Sequence, residues 1–170
     1  MKKSKTKLIL IGALLLVGGC LGTYTMDEEV FYKSDEFGSD TDVTQIRLQG
    51  SACIKEVRDE FGTSVDVKVK ELPMRACVPY LVAQAVKERF GACQPNEFVL
   101  ERDEFGTNVD SSTLILNQDC LCYVEIRDEF GTNVDVTRKF ASLDQCNRFF
   151  GPEEFSTVRL IAEEIANKYK

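Results

Sequence analysis

The sequence has no histidine and no tryptophan, and only 4 prolines and 3 methionines in 170 residues. Without histidine, imidazole-activated nucleophiles and imidazole-based metal sites are both excluded. Any acid–base chemistry would have to run on carboxylates. Long uncharged runs are also scarce, the longest being Leu8 to Met26 near the start. Positive charge is in short supply: 21 basic residues stand against 28 acidic ones.

What is present in excess is one phrase. It reads Arg-Asp-Glu-Phe-Gly-Thr-Ser-Val-Asp from Arg58 to Asp66, and recurs with Asn for Ser from Arg102 to Asp110 and from Arg127 to Asp135. A weaker copy, Ser-Asp-Glu-Phe-Gly-Ser, starts at Ser34. Asp-Glu-Phe-Gly-Thr has the chemistry of a hairpin turn. An Asp side chain at the first corner of a type I turn accepts a hydrogen bond from the backbone, and Gly tolerates the positive φ of a following G1 bulge. That turn sets Val57 opposite Val65, Lys55 opposite Val67 and Cys53 opposite Val69. In the last copy it sets Ile126 opposite Val134, Val124 opposite Val136 and Cys122 opposite Arg138. One face of each hairpin is then mostly apolar. The third copy fits less well, because Glu101 faces Val109. Each Phe falls at the third turn position and points outward. Phe37, Phe61, Phe105 and Phe130, with the acidic pairs Asp59–Glu60, Asp103–Glu104 and Asp128–Glu129, form a candidate contact rim; exposed apolar clusters of this kind mark partner sites. The bland alternative is a duplicated turn whose rings fold back over their own hairpins. The acidic spacing does not match a calcium-binding EF-hand loop, and no metal or other cofactor is expected.

Residues 1–7 carry Lys2, Lys3, Lys5 and Lys7, followed by an apolar run that ends Val17-Gly18-Gly19-Cys20. A basic head, a short greasy middle and small residues before a cut are the marks of a secretory signal. The Val-Gly-Gly-Cys ending resembles the lipobox of prokaryotic lipoproteins, over about the first 22 residues only. The resemblance implies cleavage after residue 19 and fatty acylation of Cys20. Position 21 is Leu rather than Asp, so the usual inner-membrane retention signal is missing. Outer-membrane placement follows in a Gram-negative source, and the outer face of the cell membrane otherwise. An uncleaved membrane anchor is the alternative, weakened by Gly12, Gly18, Gly19 and Gly22. Removing residues 1–19 takes four lysines, leaving 17 basic against 28 acidic residues, a net charge of −11 over 151 residues. That balance repels nucleic acid and anionic bilayers alike, so the domain is expected to stand off a membrane held only through its lipid.

Beyond Cys20 the cysteines number six: Cys53, Cys77, Cys93, Cys120, Cys122 and Cys146. An even number in an exported chain points to three disulfides. Cys77–Cys93 is excluded, because the two bracket an expected helix and would lie roughly 24 Å apart. Cys120–Cys122 would bridge only with strain. Cys120-Leu121-Cys122 as a redox or metal pair is the rival reading, and CxC alone is a weak signal for it.

Along the chain, residues 20–42 read as a lipidated N-terminus and a tether or first edge strand, and residues 43–170 as one disulfide-stapled domain. A strand is expected from Val43 to Leu48. Hairpins follow over 52–57 with 65–72, 98–102 with 109–117, and 121–127 with 134–140. Pro79 opens an amphipathic helix over about 78–90, which Gly91 ends. Ser142-Leu143-Asp144-Gln145 resembles a capping box before a short helix carrying Cys146 and Phe149. A last helix runs over about 152–168, with Phe155, Val158, Ala162, Ile165 and Tyr169 at helical spacing. The fold class is α+β: a mainly antiparallel sheet of β-hairpins packed against two or three helices. With the hairpins side by side, the acidic turns share one rim and most cysteines the opposite one. On that geometry Cys53–Cys77, Cys93–Cys120 and Cys122–Cys146 is the favoured connectivity among several that remain.

The expected function is that of a non-catalytic envelope lipoprotein, held at a membrane through Cys20 and engaging an envelope protein or cell-wall polymer through the turn rim. A self-assembling structural surface subunit is the alternative. An enzyme is less favoured and would rely on Glu56 facing Asp66 and Glu125 facing Asp135, like-charge pairs able to raise a pKa.

Overall fold

The computed structural model describes residues 29–106 and 108–170; Cys20 and the signal segment lie outside them. Eight strands form one antiparallel sheet: β1 (Val30–Phe37), β2 (Asp40–Gln49), β3 (Ala52–Phe61), β4 (Ser64–Leu72), β5 (Asn96–Phe105), β6 (Asn108–Leu116), β7 (Cys122–Phe130) and β8 (Asn133–Phe140). Three helices join them: α1 (Val78–Phe90), α2 (Leu143–Cys146) and α3 (Pro152–Lys168). The chain is an α+β fold, and the strand order β4-β3-β2-β1-β8-β7-β6-β5 keeps each consecutive pair together as a hairpin.

The sequence-based register is wrong for each of the three hairpins that were given one. Each turn is a two-residue loop, with Phe61 opposite Ser64, Phe105 opposite Asn108 and Phe130 opposite Asn133. The first central residue is always Gly, at φ of 65°, 59°, 66° and 66° for Gly38, Gly62, Gly106 and Gly131. Cys120 is the only non-glycine with positive φ among the described residues, so Ser39, Thr63 and Thr132 keep ordinary negative φ. That combination is a type II′ turn, whose twist matches that of paired strands better than a type I turn does. A Cβ added at Gly62 would meet nothing within 4 Å; its requirement for glycine is purely one of backbone conformation. The two-residue loop shifts every pairing by three residues from the expectation. Val57 faces Lys68, Lys55 faces Lys70 and Cys53 faces Leu72. Ile126 faces Thr137, Val124 faces Lys139, and Glu104 rather than Glu101 faces Val109. The turn-ward faces are therefore mixed in polarity, not apolar.

Residues 30–42, expected as a tether or edge strand, instead place β1 at the centre of the sheet between β2 and β8. The alternation there carries Phe31 and Ile46 into the core, and Ser34 is buried between Val43 and Val136.

The core lies at the open end of the hairpins. Phe31 stacks on Phe140 at 4.4 Å, with Tyr80 and Tyr123 set edge-on. The Tyr80 hydroxyl donates to the Ile46 carbonyl at 2.6 Å, and burial pushes its pKa up to about 12. Val78, Val82 and Val86 of α1 pack on Val158, Ala162 and Ala166 of α3, while Leu114 and Leu116 pack beside Cys122 and Cys146. The helix boundaries follow their local signals. Pro79 stands in the first turn of α1 and Gly91 ends it; Ser142 and Gln145 close a reciprocal capping box on α2; Glu153 and Glu154 sit at the positive end of α3 and Lys168 at its negative end. Three disulfides tie this end together: Cys53–Cys77, Cys93–Cys120 and Cys122–Cys146. They are the connectivity that the two-rim geometry favours.

The stapling has a measurable consequence. Replacing Cys53 and Cys77 together with Ala frees a segment spanning 24 residues and should lower unfolding free energy by about 3 kcal/mol. Denaturant melts under non-reducing conditions, compared with the parent chain, check this.

Candidate functional site

Beyond the core, toward the turns, no other described element covers the sheet. Across the turn-ward halves of the eight strands, Ser34 is the only buried residue among those described. The site on this layer is built by register. Within the hairpins Asp35 faces Asp42, Asp59 faces Asp66, Asp103 faces Asp110 and Asp128 faces Asp135. Between hairpins the pairs Thr44–Val57, Lys33–Thr137 and Ser112–Ile126 fix which residues share a face. Two residues further toward the turns, each of those strands carries its aspartate. The result is one aspartate per strand, in a row across the whole sheet, all on one face.

The four phenylalanines stand two residues beyond these aspartates, so they share that face. They alternate along the tips with Ser64, Asp40, Asn133 and Asn108. Strand spacing sets successive rings roughly 10 Å apart. Phe37, Phe61, Phe105 and Phe130 are between 81% and 87% exposed; the rings do not fold back over their hairpins. Each is the last residue of a strand rather than a turn corner, so alternation and not turn geometry aims it.

Electrostatics along the row are uneven. Lys33 Nζ bonds Asp35 at 2.7 Å, and Lys68 Nζ reaches Asp66 at 3.1 Å and Asp59 at 3.6 Å. Both lysines are raised above their ordinary pKa, by the hydrogen bond and charge of Asp35 and of Asp66 respectively. On β7, β6 and β5 the residues two steps inward on the same face are Ile126, Ser112 and Glu101, none of them a cation. There Asp128 is raised above its ordinary value, first by the charge of Asp110, then by desolvation and a hydrogen bond with Asp110.

The remaining acids of the phrase join hairpins to one another. The Glu36 N–H donates to Asp135 Oδ1 at 2.9 Å, and the Glu36 carboxylate accepts from the Val134 N–H at 3.2 Å. The Glu129 N–H donates to Asp110 Oδ1 at 3.1 Å while its carboxylate accepts from the Val109 N–H at 3.1 Å. At the third junction the Glu60 N–H donates to Asp42 Oδ1 at 2.9 Å. Each junction is thus a clasp that joins the Glu of one phrase to the final Asp of the next, through the Glu N–H at all three and through the Glu carboxylate at two. The final Asp therefore has a partner at every junction, and the Glu carboxylate at those of Glu36 and Glu129.

Of the residues singled out from the sequence, the four phenylalanines and Asp59, Asp103 and Asp128 come together on one face. Glu60, Glu104 and Glu129 point to the other. Of the aspartates that complete the row, Asp35, Asp42 and Asp110 were missed, as was Glu36, while Asp66 and Asp135 enter only as halves of the enzyme reading's pairs. Their signal was present: the second and ninth phrase positions are symmetric about a Gly-Thr loop. The carboxylate pairs of the enzyme reading do not form. Glu56 faces Val69 and is held by Arg47 at 2.9 Å; Glu125 faces Arg138 and is held by it at 2.8 Å. Among the described residues, no cluster of three or more acidic or cysteine side chains has the geometry to hold a metal ion. The chain matches no protein-family model, and no curated protein or solved structure matches it.

Two outcomes test this geometry. Asp128 contributes stability in the opposite sense to an ion-paired carboxylate. With its folded pKa raised, the charged form is disfavoured in the fold, so stability is lost as pH rises through the carboxylate range and regained as pH falls. Asp128→Asn should therefore melt higher than the parent at pH 7 and low ionic strength, with the gap closing below the carboxylate range and in high salt. For the clasps, Glu129→Ala should speed amide exchange at Val109 roughly fivefold, equivalent to about 1 kcal/mol. The Val134 amide, held by Glu36, should be unchanged.

Proposed function

We propose that the protein is a non-catalytic envelope lipoprotein, anchored through a fatty-acylated Cys20, whose row of turn phenylalanines and adjoining aspartates binds an envelope protein or cell-wall polymer. The observation that carries this reading is the exposure of four phenylalanines in one line on one sheet face. Folding alone gives no reason to leave four aromatic rings in water, and exposed apolar clusters beside polar ones are typical of contact surfaces. The aspartate row beside them adds negative charge that desolvates readily only against a cationic partner. Amines or basic side chains with an apolar body fit both features, the rings taking the body and the carboxylates the charge. The division of the fold supports the same reading: stapled core at one end, bare tips at the other.

The experiment replaces all four phenylalanines with Ser in the full chain and measures retention on isolated cell walls and on envelope proteins after crosslinking. Binding should fall at least tenfold while the circular dichroism spectrum and melting temperature stay put, because the rings bury almost nothing. An unchanged set of bound components removes the rim from the account. The N-terminal peptide of the same preparation should carry the mass of an acylated Cys20.

A further inference from the structure

Among the described residues, both outermost strands of the sheet are uncovered on their outer side. β4 and β5 each have a hydrogen-bonding neighbour on one side only. Every residue of β5 is exposed, and every residue of β4 except Leu72. β4 shows three exposed apolar side chains, Val65, Val67 and Val69, and β5 shows Phe98, Val99 and Leu100 besides Phe105. Lys68 and Lys70 on β4 and the register shift between Val99 and Glu101 on β5 blunt these edges only in part, and both remain long and open to pairing.

The three internal junctions show what such edges accept. All four hairpins enter the sheet in the same sense, so the second strand of one always meets the first strand of another. The register is the same each time: the residue after the phrase's final Asp stands opposite the phrase's first residue. Val43 faces Arg58, Val136 faces Ser34 and Ser111 faces Arg127. This common sense leaves a second strand, β4, uncovered at one edge and a first strand, β5, uncovered at the other. They are the two halves of one more junction.

The clasp residues on these edges are present and turned to substitutes. At the internal junctions the Glu N–H donates to an Asp of the neighbouring hairpin. On β5 the Glu104 N–H donates instead to Asp103 of its own strand, at 2.9 Å. On β4 the Asp66 carboxylate is held by Lys68 of its own strand. Arg102 holds the Glu104 carboxylate at 2.7 Å, the same distance at which Arg58 holds Glu60 beside an internal junction.

We propose that the chain assembles with copies of itself head to tail, β5 of one copy pairing antiparallel with β4 of the next and repeating the internal junction. Transferred to these edges, the register sets Val67 opposite Arg102 and Lys68 opposite Glu101. The second pair places opposite charges directly across the seam, which favours pairing where like charges oppose it. Two β5 strands would bring together edges carrying four acids and one base, whereas β4, with two acids and two bases, offers that acidic edge lysines to meet. A contact between two different surfaces does not close on two copies, so growth continues. Each added copy extends the rows of aspartate and phenylalanine by four hairpins. The contact is independent of whatever the rim binds, because the rings lie on a face and not along the edge.

The test uses disulfide trapping of the full chain in detergent. A chain with both Val67→Cys and Arg102→Cys should give dimers, trimers and higher species on a non-reducing gel after mild oxidation. Either substitution alone should give no more crosslinking than the parent. Val65→Cys with Arg102→Cys, out of register by two residues, should trap at least tenfold less. In the trapping background, Lys68→Glu should suppress the series and Lys68→Glu with Glu101→Lys should restore it, which a folding defect could not do. The four-Phe variant should still form the series, separating this contact from the rim. The proposal is overturned by monomer alone in the doubly substituted chain. It is equally overturned by a dimer that Val67→Cys forms by itself, which would mean a symmetric β4 contact, or by trapping that ignores the register or the charge swap.

Discussion

A glycine with φ near +60° closes each of the four repeated hairpins, and the rest of the architecture follows from that corner. Because the loop holds two residues, the second and ninth positions of the phrase face each other and share the side of the sheet that carries the phenylalanine. Had the turn held one more residue in a bulge, the aspartates would have met other partners and no row would exist. A positive φ is nearly free for glycine and strained for a residue with a Cβ. The corner is therefore a conformational requirement, in a place where the surrounding space would accept a side chain.

The molecule divides its work along the strands. At the open end, aromatic stacking, helix packing and three disulfides provide stability. At the turn end there is almost no burial, and like charges sit side by side across eight strands, an arrangement that opposes folding. The two lysines next to the row relieve part of it near β4, β3 and β1, and leave β7 to β5 with the larger repulsion. That surface works against its own stability and leaves aromatic rings in water, and it is the surface on which the proposed contact rests.

The acidic residues of the phrase have separate tasks that composition alone would merge. The first Asp joins the row, the Glu clasps the next hairpin, and the final Asp does both: its side chain belongs to the row and also caps a backbone donor across the junction. This explains why the turn copies are nearly identical while their flanks differ. The flanks meet different core surroundings, whereas the turns meet one another.

Much of this was legible in the residues themselves. Both long helices begin and end where Pro, Gly and charged end residues place them, because those signals act within one turn of backbone. The capping box of Ser142 and the even set of cysteines were equally readable, and a simple picture of two rims led to the pairing found. Two things were not. A Gly-Thr loop and a type I turn with a bulge draw on the same residues, and the three-residue difference in pairing shows only when the strands meet across the sheet. The central position of β1 was also hidden, since residues 20–42, polar around Ser34, Asp40 and Asp42, read as a tether or an edge strand. In the fold, burial of Phe31 and Ile46 and pairing on both sides override that. Most elements, their order and the chemistry repeated at each turn belong to short stretches of chain and can be read there. Which strands become neighbours, and so whether eight separate aspartates form a single line, depends on pairings between residues far apart in the chain and emerges only when the sheet closes.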